Sequence, residues 1–184
     1  MNTARRLLVP IDFSDASKAV VQYALNDERH KEDSIVLLHS YRLIAEGFSS
    51  YHDSPRVLKK NLEAQLLDTF NTFNKDLALS EKESQFEFRM EVGFIVNCIH
   101  TICKESTIDL ILYALKRDKQ NQILTELLTL DCAPIMLIPE NISIQPNEPL
   151  TTKEISKHVF SNNRDQYISE LESNSNLSYT VMPY

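Results

Sequence analysis

The sequence predicts an α/β protein with a doubly wound, five-stranded, mostly parallel sheet and helices on both faces. Two observations carry this prediction. Short apolar runs alternate with helical patterns through the first 140 residues, and this order is typical of βαβ units joined by right-handed crossovers. Most of the apolar runs are continuous rather than alternating, which indicates strands that are buried on both faces of the sheet.

Five segments have the length and composition of strands. They are Leu7–Ile11, Ile35–His39, Phe86–Val92, Leu110–Ala114 and Ile135–Ile138. The third alternates apolar and polar residues, whereas the other four are apolar almost throughout.

Four helical patterns connect these strands. They span Ala16–Ala24, Val57–Leu77, Ile95–Cys103 and Ile123–Leu128, and each repeats apolar residues at helical spacing. Ser14 is well suited to cap the first helix and Pro55 to begin the second. In such sheets ligands bind beyond the carboxyl ends of the strands, where the strand order reverses.

Glycine content excludes several classes of nucleotide-binding protein. The chain of 184 residues has two glycines, Gly47 and Gly93, where about a dozen are expected from average composition. A loop that holds phosphate through its backbone needs several glycines close together. P-loops, dinucleotide-binding fingerprints and kinase-type loops are therefore excluded.

The charge balance argues against nucleic acid and membranes as partners. The formal net charge is −7, from 19 basic and 26 acidic side chains, so binding to anionic surfaces through charge is not expected. No apolar run has the length of a membrane span. Asp12 and Asp15 interrupt the first apolar stretch too early for a signal peptide, so we expect a cytoplasmic protein.

The sequence contains no pattern of metal-binding or catalytic residues. Its three cysteines, Cys98, Cys103 and Cys132, form no CxxC pair, and we interpret them as buried side chains rather than metal ligands or redox groups. No nucleophile motif such as G-x-S-x-G is present. We therefore expect no catalytic residues, no metal site and no enzymatic turnover.

Residues 141–184 form a C-terminal extension to a domain spanning residues 1–140. The extension begins with a linker, and Thr151–Glu154 has the form of a capping box for a short helix through Phe160. A second helix is predicted over Arg164–Ser173 and an edge strand over Leu177–Met182. The extension is too small for its own core, so three outcomes are open: it packs on the domain, pairs with a partner subunit or stays loose.

Five segments of the chain resemble the universal stress protein (UspA-like) family. They are Arg6–Ser14, Ser34–His39, Met90–Gly93, Ile108–Leu112 and Ala133–Pro139, in the family's order and spacing within residues 4–140. The resemblance implies the family's Rossmann-like fold, of the adenine nucleotide alpha hydrolase-like type.

The resemblance also implies a nucleotide cleft. In the ATP-binding members, adenine and ribose contacts come from the ends of strands one, two and four. The matching positions here are Pro10, Ile11, Asp12, Ser40 and Tyr113. Asp12 is interpreted either as a nucleoside anchor or as a helix cap, His39 as a hydrogen-bonded core histidine, and Tyr113 as a side chain that fills the space of an adenine.

The family's phosphate loop, G-x2-G-x9-G-(S/T), is missing. Ala114 and Arg117 align with its first two glycines, and Asn121 and Gln122 with its last two residues. Three residues separate Arg117 from Asn121, where the ATP-binding members have nine. The resemblance therefore implies a degenerate member with a vestigial cleft and no bound cofactor.

The expected function is regulation in stress through protein contacts, with an unidentified protein partner. In the family the last strand commonly forms a dimer, so we expect a homodimer through Ile135–Ile138. Two alternatives stay open. The cleft could bind AMP, ADP or another small adenine ligand as a sensor, or the C-terminal extension could be the functional element.

Overall fold

A computed structural model describes residues 4–43, 54–77, 85–115, 121–140, 151–174 and 176–183. The strands are β1 (Arg6–Pro10), β2 (Ser34–Tyr41), β3 (Phe86–Val92), β4 (Leu110–Leu115), β5 (Ile135–Pro139), β6 (Thr151–Ser156) and β7 (Leu177–Met182). The helices are α1 (Asp15–Asn26), α2 (Pro55–Asp76), α3 (Ile95–Glu105), α4 (Asn121–Thr129), α5 (Lys157–Asn162) and α6 (Arg164–Ser173).

All seven strands lie in one sheet, in the order β3-β2-β1-β4-β5-β7-β6. Strands β1 to β5 are all parallel to one another, as predicted. Strand β7 is antiparallel to β5 and parallel to β6. The predicted fold class is therefore confirmed, although the extension adds two strands to the five that were expected.

Hydrophobic clusters cover both faces of the sheet and account for the continuous apolar runs. On one face, side chains of α1 and Phe73 of α2 pack against alternate residues of the central strands. On the other face, α3 and α4 pack against the remaining alternate residues, together with Phe160 and Leu171 of the extension. Every residue of β4 is buried, because both sides of this strand meet helices.

Two local features determine where α1 begins and where β3 ends, and the first confirms the predicted cap. Ser14 caps α1, and its hydroxyl accepts a hydrogen bond from the Ser17 backbone N–H at 3.4 Å. Gly93 ends β3 with a φ of +143°, a conformation that side chains rarely adopt. A Cβ atom on Gly93 would also lie 3.4 Å from the Cys98 sulfur.

The predicted helix at the start of the extension is wrong. Thr151–Ser156 form β6, paired in register with β7 from Thr151↔Leu177 to Ser156↔Met182. Backbone pairing with β7 outweighs the local capping pattern in a segment with two threonines and an isoleucine, which favour strands. The cap lies later, where the Ser156 hydroxyl accepts from the Val159 backbone N–H and α5 begins at Lys157.

Strand β7 and helix α6 occupy their predicted residues, but β7 is not an edge strand. It lies between β5 and β6 and pairs with β5 through Ile135↔Val181 and Leu137↔Tyr179. The prediction that Ile135–Ile138 is an open edge is therefore wrong, because β7 of the same chain pairs with β5. The homodimer itself stays a prediction. Of the three outcomes that were open for the extension, the structure shows the first, because the extension packs on the domain.

The extension contributes to the main core rather than forming a separate one. Phe160, Leu171, Leu177, Tyr179 and Val181 are buried among the residues of α3, α4 and β5. The ring of Tyr167 stacks on Phe160 at 5.7 Å and meets Tyr179 edge-on at 5.2 Å. The Tyr179 hydroxyl donates to a carboxylate oxygen of Glu170 at 2.6 Å, which gives this buried ring a polar partner at its rim.

Across the described ranges, no helix combines the length and the apolar character needed to cross a bilayer.

We expect Phe160→Ala to lower the free energy of unfolding of the whole chain by about 3–5 kcal/mol, because the ring is fully buried between the extension and the sheet. Chemical denaturation followed by circular dichroism measures it. The matched control is Val159→Ala on the same helix, where the side chain is 41% exposed and a change within about 0.5 kcal/mol is expected. Equal effects of the two substitutions would contradict an extension that belongs to the core.

Candidate functional site

A small cleft lies beyond the carboxyl ends of β1, β2 and β4, where the strand order reverses. Its volume is about 170 Å³. The residues that line it are Pro10, Ile11, Asp12, Ser17, His39, Ser40, Ile95, Tyr113, Ala114 and Ile123. We call it the strand-end cleft. Six of the nine predicted site residues lie here, namely Pro10, Ile11, Asp12, Ser40, Tyr113 and Ala114.

Asp12 is held by local hydrogen bonds at the turn from β1 into α1. Its Oδ1 atom accepts from the Ser14 and Ser17 hydroxyls, both at 2.6 Å, and from the Ser14 backbone N–H at 3.2 Å. Its own backbone N–H donates to the Ser17 hydroxyl at 3.0 Å. This arrangement matches the helix-capping interpretation of Asp12, because the carboxylate orders the first turn of α1.

His39 lies at the end of β2 and closes one side of the cleft. Its Nδ1 atom is 3.0 Å from the Ile11 carbonyl oxygen, so the predicted hydrogen-bonded histidine is confirmed. Burial lowers the pKa of His39, and both the Ile11 carbonyl and the charge of Asp12 oppose that shift. The imidazole is therefore biased towards its neutral form at neutral pH.

Phe13 fixes the position of His39, and the sequence offered no indication of this role. Its φ is +62°, which is unusual for a residue other than glycine. The strained backbone turns the ring back onto His39, with ring centroids 4.5 Å apart. The same ring meets Phe73 of α2 and Phe88 of β3, so aromatic packing offsets the strain.

Tyr113 forms a buried wall of the strand-end cleft. The side chain is 5% exposed, and burial, followed by the nearby charge of Asp12, raises the pKa of its hydroxyl. The phenol is therefore neutral at physiological pH. Ile95 of α3 and Ile123 of α4 add apolar surface to the same cleft. Helical spacing predicted these two isoleucines as core residues, so their part in the cleft was missed.

The connection from β4 to α4 is five residues long, from 116 to 120. Arg117 lies in this connection, outside the described residues. Asn121 and Gln122 form the beginning of α4, and their side chains also lie outside what the structure describes. Three of the nine predicted residues are therefore not placed against the cleft.

Within the described ranges, no group of three histidine, cysteine or acidic side chains is arranged to hold a metal ion.

The sequence profile of the universal stress protein family matches residues 3–124, well over half of the chain. This chain belongs to the universal stress protein family. Among curated proteins no sequence matches it significantly.

Solved structures with this fold include several universal stress proteins. A family member from Burkholderia pseudomallei is 13% identical with a TM-score of 0.55, covering 76% of this chain and 98% of that one. The UspA protein of Lactobacillus plantarum is 20% identical with a TM-score of 0.52, covering 75% and 99%. A universal stress protein solved in complex with cAMP is 13% identical with a TM-score of 0.51, covering 76% and 99%.

These structures share the fold of this universal stress protein at low sequence identity. Each is covered almost completely, whereas about a quarter of this chain has no counterpart in them. At such identities the likeness concerns the fold alone.

We expect Asp12→Asn to lower the pKa of His39 further, since the Asp12 charge is one of the interactions that favour the protonated ring. NMR titration of the imidazole resonances measures this. The folded protein holds the His39 proton less tightly than the unfolded chain, so His39 reduces stability as the pH falls below about 6.5. A His39 pKa that rises in the variant would contradict this electrostatic description.

Proposed function

We propose that this universal stress protein regulates the stress response through protein contacts, without enzymatic turnover and without binding ATP in the way that the family's ATP-binding members do. The observation that carries the proposal is the small size of the strand-end cleft. Three further features, each at the position of a different part of the nucleotide, support the loss of ATP binding. Exposed apolar side chains support the role in protein contacts.

The adenine part of the cleft has little free space. The whole strand-end cleft has a volume of about 170 Å³, which is below the roughly 300–1,000 Å³ of typical ligand pockets. Tyr113 is buried against it, and Ile95 and Ile123 narrow it from two helices.

The ribose and phosphate positions also differ from an ATP site. One carboxylate oxygen of Asp12 already accepts three hydrogen bonds from Ser14 and Ser17. Five residues connect β4 to α4, and this connection has no glycine. It is shorter than the stretch between the second and third glycines of the family's phosphate loop.

Exposed apolar side chains at the ends of β2 and β3 support a role in protein contacts. Val92 is the last residue of β3 and is opposite Tyr41 of β2, and Leu43 and Phe94 follow these two strands in the chain. Leu43, Val92 and Phe94 are 45%, 46% and 64% exposed. Arg42 lies over the Phe94 ring at 5.5 Å. Apolar and arginine side chains together at the surface are typical of protein interfaces.

We expect no stabilisation of the purified full chain by ATP with Mg²⁺ in a thermal-shift experiment. A ligand at 100 times its Kd would add about 2.7 kcal/mol of stability, or several degrees in Tm for a chain of this size. An ATP-binding universal stress protein is the positive control. A shift of several degrees with ATP would overturn the proposal.

A second candidate is a sensor for AMP, ADP, cAMP or another small adenine ligand. The specific observation in its favour is the polar side of the strand-end cleft, where Asp12 and Ser40 lie beside the neutral His39. The relative solved with cAMP makes this class of ligand a reasonable choice. A shift with AMP or cAMP but not ATP, lost in Asp12→Ala, would favour this candidate. The ligand-dependent shift, rather than the Tm itself, is compared, because the substitution also removes hydrogen bonds from the α1 turn.

A further inference from the structure

A second cavity lies on the α1 side of the sheet, at the opposite end of the parallel strands from the strand-end cleft. Leu110, the first residue of β4, and Pro134, which directly precedes β5, line it. Its volume is about 260 Å³, against about 170 Å³ for the strand-end cleft. We call it the amino-end cavity. Four of its lining residues belong to the C-terminal extension, namely Thr152, Glu154, Thr180 and Met182.

The cavity forms because the extension widens the sheet beyond α1. Met136 of β5, Thr180 of β7 and Glu154 of β6 lie in one row across three neighbouring strands, so their side chains share one face of the sheet. Met136 packs with residues of α1 on this face, whereas Phe160 and Leu171 of α5 and α6 pack on the opposite face. The cavity therefore lies between α1 and the two strands that the extension adds.

A buried histidine lines this cavity, and its hydrogen bonds determine which ring nitrogen carries the proton. The His30 Nδ1 atom lies 2.9 Å from Asp33 Oδ2 and 3.0 Å from Arg5 Nη2. Nη2 has two hydrogens, and it donates them to Asp33 Oδ2 at 2.8 Å and to the Arg29 carbonyl oxygen at 3.0 Å. Nδ1 is therefore a donor to the Asp33 carboxylate rather than an acceptor from Arg5.

This arrangement makes His30 Nε2 an acceptor in the neutral ring. His30 is 5% exposed and borders the cavity. With the described residues, the ring makes its hydrogen bonds through Nδ1. A buried acceptor without a donor costs free energy, so a donor inside the cavity would complete the hydrogen bonding of His30.

The charge of the cavity is negative once the internal ion pairs are counted. Arg5 and Arg29 each form an ion pair with an aspartate, at 2.8 and 2.6 Å, so their charges are balanced within the protein. Glu154 and Asp109 also line the cavity. Neither carboxylate forms an ion pair with a residue in the described ranges, although Asp109 accepts from the Arg6 backbone N–H at 2.7 Å.

The two carboxylates belong to opposite sides of an apolar floor. Asp109 directly precedes β4 and Glu154 lies on β6, with β5 and β7 between these strands. At about 4.8 Å for each strand spacing, the two backbone positions are roughly 14 Å apart or more. Met136 and Met182 lie on the strands between them. One small cation cannot bridge this span, whereas a flexible chain with several cationic groups can.

We propose that the amino-end cavity binds a linear aliphatic polyamine. Its ammonium groups donate to His30 Nε2 and to the carboxylates of Glu154 and Asp109, and its methylene chain lies on the two methionines. The net charge of −7 attracts polycations to the whole surface, but the buried His30 acceptor is particular to this cavity. The site does not involve the strand-end cleft, so it stands or falls separately from the proposed function.

The test is titration of the full chain with spermidine at about pH 8, where aliphatic ammonium groups stay protonated. NMR of the histidine ring nitrogens follows the titration. We expect saturable binding of one spermidine per chain, which shifts the His30 Nε2 resonance and leaves the His39 ring in the strand-end cleft unchanged. Two control ligands are 1,8-octanediol, an uncharged chain of similar length, and citrate, which would report an anion site at the arginines. Neither should shift the His30 resonance.

Three variants separate this site from general attraction between a polycation and an acidic protein. Glu154→Gln should weaken spermidine binding about threefold to fivefold, whereas the matched control Glu140→Gln, at an exposed position after the other end of β5, should leave it unchanged. His30→Asn keeps an N–H donor for Asp33 and removes Nε2, so it should weaken binding at least about fivefold.

The proposal is overturned if binding does not saturate, if the His30 resonance stays in place, or if either control ligand shifts it. It is also overturned if Glu154→Gln and Glu140→Gln bind spermidine equally well, or if a folded His30→Asn binds as tightly as the wild type. Should His30→Asn fail to fold, the comparison of the two glutamate variants decides.

Discussion

Burial of the central strands on both faces is the constraint on which the rest of this structure depends. Strands β1, β4 and β5 present apolar side chains to helices above and below the sheet. Parallel strands require long crossovers, so helices must cover both faces. Their carboxyl ends then meet at one edge of the sheet, which is why Asp12, His39 and Tyr113 lie together without being close in the sequence. The same packing makes the cleft between them small, since Tyr113, Ile95 and Ile123 belong both to the core and to the cleft wall.

The last of these strands needs one more neighbour, and the chain supplies it. Without a further neighbour, β5 would be an edge strand that has apolar side chains and unpaired backbone N–H and C=O groups. Natural proteins cover or pair such edges. Here β7 pairs with it in the antiparallel direction, and α5 and α6 fill the space below with Phe160 and Leu171. The extension is thus part of the domain's core, and it uses the strand through which a dimer was expected.

The sequence was sufficient for the parallel part of the fold, because continuous apolar runs and helical stripes reflect burial directly. It was also sufficient to bring Asp12, Ser40 and Tyr113 together, since strand ends share an edge. The sequence analysis failed where contacts between distant segments determine the local structure. Thr151–Glu154 carries a local helix signal that pairing with β7 overrides, and β7 shows no sign of which strand it joins. The positive φ of Phe13 leaves no pattern in neighbouring residues, because its ring packs against His39, Phe73 and Phe88 of separate elements.

We propose that the regulation of this universal stress protein does not pass through ATP, because the strand-end cleft is small and the connection before α4 is short. Native mass spectrometry of the full chain, incubated with ATP and Mg²⁺ and sprayed under gentle conditions, tests this claim most directly. The account predicts the mass of the bare chain, or of a bare oligomer, at ATP concentrations that saturate an ATP-binding relative. A dominant species heavier by one ATP for each chain, lost when Asp12 is changed to Ala, would contradict it.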